Sequence, residues 1–153
     1  MRLVIQRVLR ASVSVEGAVV ASIGRGFLIL CGVHRADTAA DVDYLVQKTA
    51  RLRVFDDADG KMNLGPAEVG AEMIVVSQFT LYADCRKGNR PSYIEAAGPA
   101  DGERWYEAFV AGLRAQGLAV QTGRFRSMMA VELVNDGPVT ILIDSRDRQV
   151  VGA

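Results

Sequence analysis

Two short segments put small polar groups or freely turning backbone beside the ends of apolar runs. Ser77-Gln78-Phe79-Thr80-Leu81 closes the apolar run Met73–Val76, and Asn135-Asp136-Gly137-Pro138-Val139-Thr140 precedes Ile141-Leu142-Ile143. A polar cluster at the end of a buried strand either bonds nearby backbone or walls a cavity. In the second role Thr80 presents a hydroxyl, and surrounding N–H groups can hold a carbonyl oxygen. As a nucleophile Thr80 needs an adjacent base, and none stands beside it in sequence. His34, the only histidine, ends the run Phe27–Val33, with no Gly-x-Ser-x-Gly elbow elsewhere in the chain. It reads as a structural or surface residue rather than a triad member. One histidine and two distant cysteines, Cys31 and Cys85, make a poor zinc set. Asp57-Ala58-Asp59-Gly60 fails as a calcium loop: aligning Gly60 with the loop's glycine puts Phe55 and Pro66 at positions that require acidic residues. It reads as a hairpin turn. No glycine loop suited to phosphate is present, so no metal or cofactor is expected.

Three further groups stay open on spacing alone. Asn135-Asp136-Gly137-Pro138 makes a good hairpin turn, or a cis-proline that fixes carbonyl directions at a site. Phe125, Met128 and Met129, beside Arg124 and Arg126, are core residues or a wall that stacks on adenine. Arg86-Lys87-Gly88-Asn89-Arg90 and Arg124-Phe125-Arg126 are each a solvated loop or a local basic patch for nucleic acid.

The elements that must position these residues follow from periodicity. Leu3–Val8 and Ser12–Val15 alternate as strand, Glu16-Gly17 turns the chain into Val19–Ile23, and Phe27–Val33 reads as a strand buried on both faces. Tight turns between them predict an antiparallel start. Asp37 or Thr38 caps a helix to about Leu52, with Val42, Leu45, Val46, Thr49 and Leu52 on one face. Met73–Phe79 is the second buried strand. A second helix starts near Pro99 with Asp101 as its cap, buries Trp105, Ala108, Phe109, Gly112 and Leu113, and ends at Gly117. Strands over 118–122, 128–134 and 139–144 follow. The expectation is a single mixed α/β domain over residues 1–145 with a C-terminal tail over 146–153.

The 153 residues suffice for one core, half of them are hydrophobic, and the formal net charge is zero. Zero charge disfavours a protein that coats nucleic acid. No apolar run is long enough to span a bilayer, and the opening residues lack the pattern of a signal peptide. The cysteines form no framework. A cytoplasmic protein without a membrane partner is expected.

Ser77-Gln78-Phe79-Thr80-Leu81 and Asn135-Asp136-Gly137-Pro138-Val139-Thr140 together resemble the two signatures of the D-aminoacyl-tRNA deacylase family. The likeness extends to the opening strand Met1–Val8 and to Arg86–Tyr93, and so covers essentially the whole chain. It implies largely antiparallel strands in a barrel-like sheet with two main helices. It implies hydrolysis of the ester between a D-amino acid, or glycine, and the terminal adenosine of tRNA, without a cofactor. Members are homodimers, so Gly137-Pro138, with a cis bond, would reach into the partner's pocket and exclude L side chains by backbone alone. Ser77, Gln78, Phe79 and Thr80 would hold the aminoacyl group, with Thr80 a nucleophile in one account and a positioning residue in the reading favoured here. Phe125 and Met129 would flank the adenosine, Arg7 would brace the Gly137-Pro138 loop, and Arg86, Lys87 and Arg90 are the first candidates for tRNA contacts. The alternatives are a non-catalytic module that binds aminoacyl or RNA ends, and a hydrolase of other small D-aminoacyl esters.

Overall fold

The fold is built on two long strands that lie side by side and bend together. The computed structural model describes residues 1–148. Strands β1 (Arg2–Val15), β2 (Ala18–Ile23) and β3 (Gly26–Gly32) form the antiparallel start, turning at Glu16-Gly17, both with positive φ. Helix α1 (Ala39–Ala50) follows, then a small hairpin of β4 (Phe55–Asp56) and β5 (Met62–Leu64). Strand β6 (Glu72–Ser77) pairs in parallel with β3. Helix α2 (Pro99–Ala115) crosses to β7 (Ala119–Thr122), parallel to β6. Parallel neighbours need such crossovers, and the helices supply them. Finally β8 (Ala130–Asp144) runs antiparallel to β1 along nearly its whole length. The Gln121 side chain bridges the open edge: its Oε1 accepts from Ser22 N–H at 2.9 Å and its Nε2 donates to Ser22 O at 2.8 Å. The result is a mixed α/β fold with a nearly closed, barrel-like sheet and two helices.

The sheet has a core on each face. Leu3, Ile5, Phe27, Ile29, Met73 and Val75 meet Leu45, Phe109 and Leu113 of the helices. Val8, Ala11, Val13, Leu28, Ile74 and Val76 form the second core inside the curved sheet. Strands β3 and β6 are therefore covered on both sides, which is why they read as continuous apolar runs. Burying each large side chain there contributes about 1.5–3 kcal/mol.

The bend explains one departure from expectation. The segment 135–138 does not join two strands as a hairpin. Gln6 pairs with Thr140 and Val8 with Asn135, so Arg7 alone faces residues 136–139, which loop out of a single strand. Residues on either side keep pairing with β1 rather than with each other. Such an insertion bends the strand: Val139, Ile141 and Ile143 pack on the first core, whereas Met129, Val131 and Leu133 pack on the second.

Caps and ends differ in detail. Thr38 is the N-cap of α1, its N–H donating to Asp41 Oδ2 at 2.9 Å. The cap of α2 is Gly98 with Pro99 at the first helical position, and Asp101 sits in the first turn, where a carboxylate favours the helix dipole. Asp57–Gly60 is the hairpin turn, Asp57 Oδ1 accepting from the N–H groups of Asp59 (2.9 Å) and Lys61 (3.0 Å). Order continues past residue 145: Ser145–Asp147 form a 3₁₀ turn, and Ser145 N–H donates to Met1 O at 2.8 Å. Of the expected tail, residues 149–153 lie outside the described residues. No helix among the described residues is long and apolar enough to cross a membrane.

Candidate active site

The parallel register of β3 and β6 sets Ser77 opposite Cys31 at the end of the sheet. Gln78 N–H then donates to Cys31 O at 2.8 Å, and the chain folds at once into a 3₁₀ turn over Phe79–Tyr82. Gly32 makes that sharp return feasible. A methyl group there would lie 3.0 Å from Leu81 Cβ and 3.1 Å from Gln78 O. Beside the turn opens a cavity of about 520 Å³, walled by Ser77, Phe79, Tyr93, Phe125, Met128 and the start of α2 at Gly98–Gly102. Phe79 is 56 % exposed and packs edge-on against Tyr93 at 5.0 Å between ring centres. Phe125 lies 6.0 Å from the ring of Tyr106, whose hydroxyl donates to Val75 O at 2.8 Å and so ties the wall to β6. Burial pushes the Tyr106 hydroxyl well above its ordinary pKa, which keeps it a donor.

Of the four residues of the first segment, Ser77 and Phe79 line the cavity, and Gln78 and Thr80 stand in the adjoining turn. The Thr80 hydroxyl accepts a hydrogen bond from the Gln78 side-chain amide. An amide that donates takes no proton away, so this contact orients the hydroxyl without activating it. His34 is engaged elsewhere. Its Nδ1 accepts from Ala36 N–H at 3.0 Å and its Nε2 meets Glu95 Oε2 at 2.8 Å, a contact that lowers the Glu95 pKa. The Cys31 thiol is buried, and desolvation pushes it up to about 12, far from a reactive thiolate. The described residues hold no group of three or more His, Cys, Asp and Glu positioned for a metal.

The adenine-wall candidates divide. Phe125 lines the cavity, and so does Met128, which is 92 % exposed. Met129 points the other way, against Gly123 and the second core. Successive side chains alternate across an extended chain, so one of the two methionines faces the cavity and its neighbour the sheet interior. The turn Arg124–Ser127, with Arg126 at φ +60°, sets that phase.

Arg7 is buried and reaches the looped-out segment. Its Nε donates to Asp136 O at 3.2 Å and its Nη1 to Val54 O at 2.6 Å, with the carboxylates of Asp56 and Asp136 each 3.3 Å away. Asn135 clasps the loop, accepting from Val139 N–H at 2.8 Å and donating to Thr140 Oγ1 at 2.9 Å. The Gly137–Pro138 bond is cis, and Gly137 has φ +126°. Both residues are exposed, and neither lines the cavity of its own chain. In the basic loop, Arg86 forms a two-point ion pair with Asp84 at 2.6–2.8 Å, whose hydrogen bonds hold the Asp84 pKa down to about 2. Lys87 and Arg90 are exposed, with no ion-pair partner among the described residues.

Sequence reasoning missed Gly32, Tyr93 and Tyr106. Gly32 carried a signal, as a glycine ending a buried run just before a polar segment. Tyr93 and Tyr106 reach the site only through tertiary packing.

Residues 4–144 match the family model described as D-Tyr-tRNA(Tyr) deacylase. The chain belongs to that family. Deacylation of an aminoacyl-tRNA is hydrolysis of a carboxylic ester, and the protein is an enzyme of this class. It is 59 % identical to a D-aminoacyl-tRNA deacylase of Anaeromyxobacter dehalogenans over 95 % of this chain and 98 % of that one. It is 55 % identical to one of Thermotoga petrophila over 95 % and 97 %. Among solved structures it superposes with TM-score 0.88 and 38 % identity on a protein titled c-Myc DNA Unwinding Element Binding Protein, over 94 % of this chain and 98 % of that one. A probable eukaryotic D-amino acid tRNA deacylase shares the deacylase fold at TM-score 0.78 and 17 % identity, again over 94 % and 98 %.

Proposed function

We propose that this deacylase hydrolyses the ester that joins a D-amino acid or glycine to the terminal adenosine of tRNA, and rejects the L ester through the backbone of Gly137-Pro138. The observation that carries the proposal is the cavity itself. It is lined by Ser77 and Phe79 of a turn rich in hydrogen-bonding groups and by Tyr93, Phe125 and Met128. An aromatic and thioether wall suits a nucleoside, and the Ser77–Thr80 turn suits an ammonium and a carbonyl.

The chemistry follows from what the turn contains. Thr80 is held by an amide and not by a base, so its role is to position. The substrate's own 2′-hydroxyl, next to the ester, assists the attack of water. The protein contributes alignment and stabilisation of the developing oxyanion by N–H groups of the turn, two effects that can supply much of a rate enhancement.

Selection requires a second copy of the chain. Arg7 is paired with Phe27 and Ser77 with Cys31, so the Gly137-Pro138 loop sits four residues along β3 from the turn. That is about 13 Å along the strand direction alone, and β1 and β3 also lie between the loop's strand and β6. A loop so placed serves the pocket of a partner in a homodimer, where its carbonyls occupy the space an L side chain needs. Arg7 braces it, and Lys87 and Arg90 are freer than Arg86 to meet tRNA phosphates. A cytoplasmic location suits this substrate. The zero net charge suits an enzyme that grips only an acceptor end.

Turnover of D-Tyr-tRNA tests the reading against a binding module: multiple turnovers support it, and binding without release of amino acid contradicts it. Replacing the terminal ribose by its 2′-deoxy form, with the ester on the 3′-oxygen, is expected to abolish turnover. Full activity on that ester would move the reaction to a general esterase.

A further inference from the structure

The cavity wall carries one charged side chain, Arg126. Every other residue lining it is apolar, aromatic, glycine, proline or serine. Arg126 is exposed and, like Arg90 and Arg124, has no ion-pair partner among the described residues, so its guanidinium is free to meet a ligand at the cavity. Its backbone is unusual as well. Ser127 N–H donates to Arg124 O at 3.2 Å, closing a four-residue turn whose third position is Arg126 at φ +60°. That position favours glycine or asparagine. Here it holds a long cation, immediately after Phe125 and immediately before the cavity-lining Ser127 and Met128.

We infer that Arg126 binds the phosphate that links the terminal nucleoside to the nucleotide before it. The inference rests on the cavity being the nucleoside site, and adds the group that tells a nucleotide from a nucleoside. A guanidinium with no carboxylate partner at the edge of an otherwise uncharged pocket meets a single phosphate with charge-assisted hydrogen bonds. The neutral walls then take base and ribose. The basic stretch 86–90 would serve phosphates farther along the strand.

The test uses adenosine 5′-monophosphate and adenosine as probes, titrated into the full chain and followed by chemical-shift changes. Arg126→Asn is the informative variant, because asparagine tolerates the left-handed backbone while removing the guanidinium and its charge. The wild-type protein is expected to bind the monophosphate about tenfold more tightly than adenosine at low salt, a preference consistent with one charge-assisted contact. Arg126→Asn should lose that preference and keep its affinity for adenosine, and Arg126→Lys should recover part of it. With D-Tyr-tRNA, Arg126→Asn should raise KM several-fold at unchanged kcat. It should also reduce the slope of log KM against log salt by about 0.7, the value for one phosphate of a single strand. Equal binding of the two probes by the wild-type protein, or a preference that survives in Arg126→Asn, overturns the assignment even if D-Tyr-tRNA is hydrolysed normally. A preference lost in Arg126→Asn supports it even if no deacylation is seen, an outcome that would contradict the proposed reaction alone.

Discussion

Replacing Arg7 by methionine tests whether the strand bend and the Gly137-Pro138 loop are held by one buried guanidinium. Methionine keeps most of the length and volume of the side chain and none of its donors. The variant loses the bond to Val54 O, which is short and buried, and the bond to Asp136 O. A buried carbonyl left without its charged donor costs about 1–3 kcal/mol, and the second, wetter bond about 1 kcal/mol. The carboxylates of Asp56 and Asp136 are 52 % and 34 % exposed and fall back on water, so their loss adds little. The expected destabilisation is about 2–4 kcal/mol, roughly 10 °C in Tm for a chain of this size. The loop should loosen with it, so hydrolysis of L-Tyr-tRNA should rise relative to D-Tyr-tRNA. Arg7→Lys keeps one donor to Val54 O and should fall between the two. Urea unfolding at neutral pH and paired D and L hydrolysis rates read both effects. A loss of stability below about 1 kcal/mol together with unchanged rejection of the L ester would refute the bracing role.

Three further outcomes are expected. Thr80→Val should lower kcat by about 10²-fold, the scale for losing one polar contact to the developing charge; a loss beyond about 10⁴-fold, or a trapped acyl-enzyme in the wild type, would make Thr80 the nucleophile. Gly32→Ala should displace the 78–82 turn by a few tenths of an ångström, costing about 1–3 kcal/mol by overpacking and lowering kcat, whereas Gly60→Ala, in open space at φ +74°, should cost stability and leave kcat unchanged. At Asp144, burial opposes ionisation, but hydrogen bonds from Arg146 and Arg2 overcome it and hold the pKa well below the usual range. A depressed carboxylate stabilises the fold above its unfolded pKa of about 4 and loses that contribution as pH falls through the folded value. Asp144→Asn should therefore be less stable at pH 7 and show a flatter acid limb in unfolding midpoints from pH 5 to 2.

The parts of the fold that local pattern controls were readable from residues. The runs at Phe27–Val33 and Met73–Val76 announced strands buried on both faces because each serves two cores. Thr38 and Gly117 marked helix ends through capping and a positive φ. The parts set by pairing partners were not readable. Asn135-Asp136-Gly137-Pro138 has the chemistry of a hairpin turn, and only the pairing of both flanks with β1 makes it an insertion within one strand. At the site, the Ser77–Thr80 segment was visible as polar residues closing a buried strand, and Phe125 as an aromatic beside arginines. Which of Met128 and Met129 faces the cavity depends on the backbone at Arg126, and the neutralisation of Arg86 by Asp84 depends on a loop conformation. Neither leaves a trace in spacing.

The central claim is that one pocket removes D-amino acids from tRNA and leaves L-amino acids in place. Its most direct test is the release of tyrosine from matched D-Tyr-tRNA and L-Tyr-tRNA by the purified protein. The account predicts rapid loss of the D ester with the L ester intact. Equal loss of both esters would contradict the backbone selector, and loss of neither would contradict the reaction itself.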